Sequence, residues 1–322
     1  MSVRYLARKV FSLAVTLYAV ASFNFLLFHV LPGNPVRLMA RAGHLDPAAV
    51  AQLKQLFGLD RSLPIQYLIY LRDLIQGNLG FSYVYRQPVT TVLGPAIRNT
   101  VLLLGTATLL TIVVGVGLGV IAGARANSRT DTSVVVSSLV LWSLPTFWTG
   151  MILIFICGVW FHLLPISGIN TLGYSFTSLG HLVDLGKHLI LPTLTLALVN
   201  VAEFALITRS SLVDVMSEDY MVTARAKGLR RRVIVWRHGV RNALLPIVTA
   251  TALYMGLVLG GAIQVEAVFS WPGMGLLSYK AVLSRDYPVL EASFLIFAVA
   301  VIIMNFASDL LYRALDPRVR QS

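Results

Sequence analysis

Charge is scarce in this chain, and acidic charge is the scarcest. Of 322 residues only 12% are charged, and 14 Asp and Glu stand against 26 Lys and Arg. A soluble domain carries about 25% charged residues. With 57% hydrophobic residues and a mean hydropathy of +0.76, most of the chain must be solvated by lipid. Cysteine is nearly absent. Cys157, inside an apolar run, is the single one, so a disulfide within the chain and a thiolate metal site are both excluded.

Catalytic groupings are missing as well. The six His are scattered at 29, 44, 162, 181, 188 and 238, with no HExxH pattern. His181 and His188 can share a helix face, but at the mouth of a span they read as interfacial polar residues rather than metal ligands. No GxxxxGK[ST] phosphate loop occurs. The nearest approach, "GHLVDLGKH" at 180–188, has the wrong spacing and no hydroxyl after Lys187, so the chain should not hydrolyse ATP alone. Glu203 and Asp309 are the acids well inside apolar runs. Each lies near a run's end, where snorkelling to headgroups explains it better than a catalytic pair. An intramembrane enzyme, the competing class, therefore lacks a constellation.

What the chain does have is long apolar runs. Six meet the length of about 20 residues that a bilayer core demands: Val10–Leu31, Val101–Ala124, Val134–Trp160, His188–Thr208, Ala243–Val265 and Pro288–Tyr312. The expected fold is an all-α integral membrane protein, a single six-span domain over 1–322. Pro145 predicts a kink or tilt in the third run. The first run, after Arg4, Arg8 and Lys9, is too long for a signal-peptide core and is read as an uncleaved span. Glycines at 115, 117, 119, 256 and 260 read as close helix contacts.

Basic residues orient the spans. Arg4, Arg8, Lys9, Arg125, Arg129, eight residues between 209 and 242, and Arg313, Arg318 and Arg320 fall on one side. The two short loops opposite hold only Lys187, Lys280 and Arg285. The positive-inside rule then puts both termini in the cytoplasm. The long external loop, 32–99, is too long to count. It holds two amphipathic helix patterns, "LDPAAVAQLKQLFGLD" and "LPIQYLIYLRDLIQGNLG", which Gly58 and Gly77 should end.

Seven Arg and Lys concentrate in "DYMVTARAKGLRRRVIVWRHGVRNALLPIV", residues 219–248. Topology explains the charge but not the internal order. Ser217 suits an N-cap, and Glu218 and Asp219 suit the positive end of a helix. Arg225 and Lys227 suit its negative end, and Gly228 stands where a left-handed C′ residue would stop it. A second helix should start around Arg230, with Val233, Trp236, Val240 and Leu244 on one stripe. The predicted loop, 209–242, is thus a helix, a glycine corner and an interfacial helix.

This segment resembles the cytoplasmic loop of binding-protein-dependent ABC importer permeases, whose pattern is Glu-Ala-Ala, three residues, Gly. Val222 and Thr223 depart from it, while Ala224 and Gly228 keep it. "TARAKGL", with His238 and "RNALLP" behind it, is similar to the dipeptide, oligopeptide and nickel branch. So are "LPGNP" (31–35), "FGLDRSLPIQY" (57–67), "GNLGFS" (77–82), "LPISG" (164–168), "EAVFSWPGMG" (266–275), "RDYPVLEA" (285–292) and "DLLYRALDPRVR" (309–320).

The resemblance implies a type I importer permease in the bacterial plasma membrane, translocating di- or oligopeptides. Nickel, glutathione or another small solute is the alternative cargo. It implies a second permease subunit of different sequence, two cytoplasmic ATPases that bind ATP and Mg, an extracytoplasmic substrate-binding protein, and no nucleic acid. No cofactor or metal is expected in this chain. ATPase coupling would fall to Tyr220, Ala224, Arg225, Ala226, Lys227, Gly228 and His238. The external mouth would be Glu266, Phe269, Trp271, Pro272 and Gly273, with Trp271 as an interfacial anchor. Asn24, Asn200, Gln264 and Asn305 are polar at membrane depth, candidates to line a passage or to bond between helices.

The topology is directly testable. With Cys157 replaced by Ser, single cysteines at Ser128, Ser217 and Ser322 should react with a membrane-impermeant maleimide only from the cytoplasmic side. One at Gln87 should react only from outside. Labelling of position 217 from outside intact cells overturns the six-span order.

Overall fold

Lipid offers no partner for a backbone N–H or C=O, so a spanning chain must satisfy both within helices. The computed structural model describes residues 3–30, 61–171 and 179–315, and nearly all of them are helical. The helices are α1 (Val3–Val30), α2 (Leu63–Ile75), α3 (Val89–Ala124), α4 (Arg129–Ser143), α5 (Thr146–Leu153), α6 (Leu179–Ser217), α7 (Asp219–Ala226), α8 (Arg231–Val233), α9 (Arg241–Val268), α10 (Met274–Ser284) and α11 (Tyr287–Leu315). Two π-helical segments, Ile154–Trp160 and Ile234–Val240, extend α5 and α8. One short antiparallel hairpin pairs β1 (Phe81–Ser82) with β2 (Gln87–Pro88). The amphipathic helix expected over 46–58 lies outside the described residues.

By length and composition α1, α3, α6 and α11 can each cross a membrane, and α4 with α5 and its π extension forms a fifth, bent candidate. The fifth apolar run is occupied by α9, a helix of 28 residues. The third run differs from the kinked helix expected. It breaks by 99°. Pro145 has no N–H to give and forces the residue before it out of the helical region. Leu144 is accordingly extended, with ψ 130°, and the helix restarts at Thr146.

The chain divides into two compact units. The first comprises Met1–Arg98 with Leu277–Ile302. Here α2 packs on α1, with Phe25 against Tyr67 and Tyr70 at 5.2 and 5.4 Å between ring centres. Gly77, at φ +74°, ends α2 as its sequence position suggested. The hairpin is pinned by Asp286, whose Oδ2 accepts from Ser82 Oγ and from Val84 N. Burial, and then the Asp286 and Glu291 carboxylates, push the Tyr83 phenol up to about 12.

The second unit comprises Asn99–Leu276 with Ile303–Ser322. Its core joins Leu103, Leu191, Phe204, Ile247, Phe269 and Trp271 from α3, α6, α9 and the turn after α9. α3 and α6 approach closely. A Cβ at Gly115 would lie 2.6 Å from Phe204 Cβ, and one at Gly119 would run into Thr208 and the carbonyl of Ala205. Gly123 faces Arg209 O and Leu212 in the same way. Gly117, by contrast, has nothing within 4 Å, so of the three glycines at 115, 117 and 119 the middle one is off the contact.

Gly119→Val should therefore lower the thermal midpoint of the detergent-solubilised protein sharply, by the equivalent of about 3 kcal/mol, the upper end of overpacking costs. Gly117→Ala should leave it within about 0.5 kcal/mol of the parent, as surface changes usually do. Equal midpoints for the two variants would contradict this contact.

Candidate functional site

The basic stretch folds into a corner built on the end of α6. That helix runs unbroken to Ser217, whose Oγ donates to Asp214 O of its own helix. Ser217 is thus the last residue of α6 and not the N-cap of α7. Glu218 takes that position, with extended backbone and no side-chain cap. The helix already in progress claims the serine hydroxyl. Asp219 still sits in the first turn of α7 and Arg225 in its last.

The stop at Gly228 is the one the sequence suggested. Lys227 N donates to Thr223 O at 3.0 Å, Gly228 N donates to Arg225 O at 2.9 Å, and Gly228 has φ +72°. A Cβ there would meet no atom of the chain within 4 Å. No atom of the chain crowds this position, so its need for glycine is conformational.

Of the residues expected to couple, Tyr220, Arg225, Ala226, Lys227 and Gly228 are exposed. Ala224 instead faces inward with Met221, packing on Ile234 and Met216. His238 is half-buried in the second π segment. Three hydrogen bonds hold the corner. Arg225 Nη2 donates to Met216 O at 2.9 Å, Asn242 Nδ2 to Tyr220 Oη at 3.0 Å, and Arg231 Nη2 to Ala124 O at 2.5 Å. Beside it, Arg209 on α6 makes a bidentate pair with Asp131 on α4, at 2.6 and 2.8 Å.

The second helix departs from the expected stripe. Arg230 is its N-cap, as anticipated, but the π segment buries Ile234, Val235, Gly239 and Val240. Val233, Trp236 and Leu244 are exposed. The wider i→i+5 turn advances the buried face, so a 3.6-residue period misassigns it.

The expected external mouth is a sealed polar knot. Glu266, near the end of α9, is fully buried. Its carboxylate accepts from Thr100 Oγ1 at 2.6 Å and from Leu276 N at 2.9 Å. Thr100 Oγ1 in turn accepts from Met274 N at 2.7 Å. The acid thus satisfies orphan N–H groups in the first turn of α10 and meets the positive end of that helix. Gly273 is needed because any Cβ would collide with the carboxylate. Trp271 is not an interfacial anchor: its ring is fully buried, and its Nε1 donates to Asn99 O at 3.0 Å. Phe269 is buried in the core beside it, and Pro272 is exposed but accepts at its carbonyl from Asn99 Nδ2. The signal for Asn99 and Thr100 was absent from the sequence reading, because both lie in "RNTV" more than 160 residues from their partners.

The candidate passage residues separate into two kinds. Asn24 is buried and donates to Glu291 O at 2.9 Å, and Asn200 donates to Leu196 O of its own helix at 2.6 Å. Gln264 and Asn305 are exposed on the chain. His188 is buried, with Nδ1 2.9 Å from Asp184 O. Asp184 itself accepts from Thr171 N and Thr171 Oγ1. The Asp184 bonds hold Thr171 to the start of α6, and His188, buried and bonded within its own helix, is not an exposed interfacial residue.

Lipid-length helices and a basic corner of this kind suit a membrane protein, and comparison with known proteins gives its class. Residues 115–321 match the family described as binding-protein-dependent transport system inner membrane component. Residues 2–103 match the N-terminal membrane component of the same systems. The chain belongs to this family. It is similar to the glutathione transport system permease protein GsiC of Escherichia coli (strain K12), 38% identical over 319 residues and 98% of each chain. The protein of that name from Pectobacterium atrosepticum is 39% identical over the same span and coverage.

Glu266→Ala strands Leu276 N and Thr100 Oγ1 and opens a cavity, so it should cost about 3 kcal/mol. Glu266→Gln keeps one acceptor and should cost less. Thermal midpoints in detergent measure both, and an Ala variant that melts with the parent would refute the knot.

Proposed function

We propose that this chain is the six-span permease subunit of an ATP-driven importer, with both termini in the cytoplasm and small peptides as its cargo. The observation that carries the reading is the corner at Gly228: a short helix stopped by a glycine with positive φ, and no atom of the chain within 4 Å of a Cβ there. A topology signal needs charge alone and has no use for a built turn. In this reading α7 seats on a cytoplasmic ATPase, and nucleotide-driven closure moves the helices behind it as a rigid body. ATP and Mg are bound by two such ATPases and not by this chain. A second permease subunit, different in sequence, completes the passage, because alternating access in proteins of this kind works between two halves. A substrate-binding protein delivers cargo from outside.

Peptides are the substrate class. Glutathione, itself a tripeptide, is the first solute to test, since the relatives bear that name. Di- and tripeptides follow it, and nickel is the remaining alternative. Exposed Arg225 and Lys227 would steer the ATPase more than they would add affinity.

Gly228→Val tests the reading. A β-branched residue at φ +72° is strained by about 1–3 kcal/mol, and it adds bulk where the partner must come close. Insertion and abundance should remain near normal. Co-purification of the ATPases and uptake of labelled glutathione or tripeptide by the reconstituted complex should both be lost. A variant that keeps its ATPases and transports normally would remove the basis for this function.

A further inference from the structure

Charge position alone makes Arg231 and Arg232 equivalent: two adjacent rim arginines whose loss weakens docking mildly. The structure separates them. Both are exposed, but Arg231 Nη2 reaches Ala124 O at 2.5 Å across 107 positions of sequence. Ala124 is the last residue of α3, and its carbonyl is one of the four that a helix end leaves without an intrahelical donor. A guanidinium there also meets the negative end of the helix dipole.

The surrounding links show why this bond matters. The corner is joined to α6 by Arg225 on Met216 O, and to α9 by Tyr220 with Asn242. Toward α3 there is apolar packing of Val120 on Val235 and Val240, which resists compression but sets no direction. Arg231 adds a directional bond, and it stands three residues beyond Gly228, at the first position of α8. A push on the glycine corner is thereby applied to the end of α3.

We propose that Arg231 is a positioning residue that transmits movement of the docking corner to α3, while Arg232 serves only the rim. This rests on the docking reading above. Stiffness between corner and span, rather than affinity for the ATPase, is what the bond supplies. Without it the corner can move while α3 lags, and nucleotide is hydrolysed without transport.

The experiment compares Arg231→Gln, Arg231→Met, Arg231→Lys and Arg232→Gln in the complete complex. It reads ATPase co-purification, nucleotide hydrolysed, and labelled glutathione or tripeptide taken up, with the parent as reference. Arg231→Gln and Arg231→Met should keep their ATPases, yet take up about ten-fold less solute per ATP, the order of one lost charge-assisted hydrogen bond. Arg231→Lys keeps a cationic donor of similar reach and should recover most of the ratio. Arg232→Gln should leave it unchanged. The proposal is overturned if Arg231→Met and Arg232→Gln share one transport ratio. It is equally overturned if Arg231→Gln sheds its ATPases, or if Lys fails to rescue. A parent chain that never retains ATPases would instead refute the docking reading, and the two failures are therefore distinct.

Discussion

Everything in the larger unit depends on how closely α3 and α6 approach. Lipid gives no hydrophobic drive between helices, so association rests on van der Waals contact and on polar groups that find each other. Gly115, Gly119 and Gly123 recur every fourth residue and let the two backbones meet over Phe204, Thr208 and Leu212. Thr106 and Thr193 share a hydrogen bond of 3.1 Å between the same helices. With this contact in place, α6 serves as a column. Its one end carries Asp184, which accepts from Thr171 N and Oγ1, with His188 bonded back to Asp184 O of the same helix. Its other end carries Arg209, which holds α4 through Asp131, and then Met216, on which the corner is built.

Much of this was legible in the sequence, and the reasons are local. An apolar run longer than a bilayer reads directly as a helix, and α1, α6, α9 and α11 lie where the runs predicted. The stop at Gly228 was equally legible, because a helix end and its left-handed glycine are encoded within a few residues. The glycines at 115 and 119 do make close contacts, but a contact stripe takes only every fourth residue, so Gly117, read with them, falls off it.

What was not legible depends on distance or on a changed period. The break at Pro145 reads as a kink until the extended backbone of Leu144 is seen to turn the chain by 99°. The π segment after α8 adds a residue per turn and carries Trp236 to the surface. Ser217 looks like a cap only if the preceding helix is assumed to have ended. Glu266 and Trp271 look like mouth residues because they are polar or amphipathic near the end of a run. Their partners, Thr100 and Asn99, are far away in sequence, and no spacing within the chain announces them.

At membrane depth, Asn24, Asn200, Thr195 and Thr251 each donate to a protein carbonyl. Thr195, Asn200 and Thr251 bond back to the i−4 carbonyl of their own helix, a local satisfaction of the donor, and only Asn24 reaches another helix. The acids follow the same rule: Asp131, Asp184 and Glu266 all accept from protein donors. These groups hold the helices in register, while Gln264 and Asn305 stay exposed on the chain. In the described residues, then, these polar side chains serve the fold first. The two ends of the larger unit differ in the same terms. The knot around Glu266 is sealed on itself, while the corner at Gly228 is left open and clamped from behind.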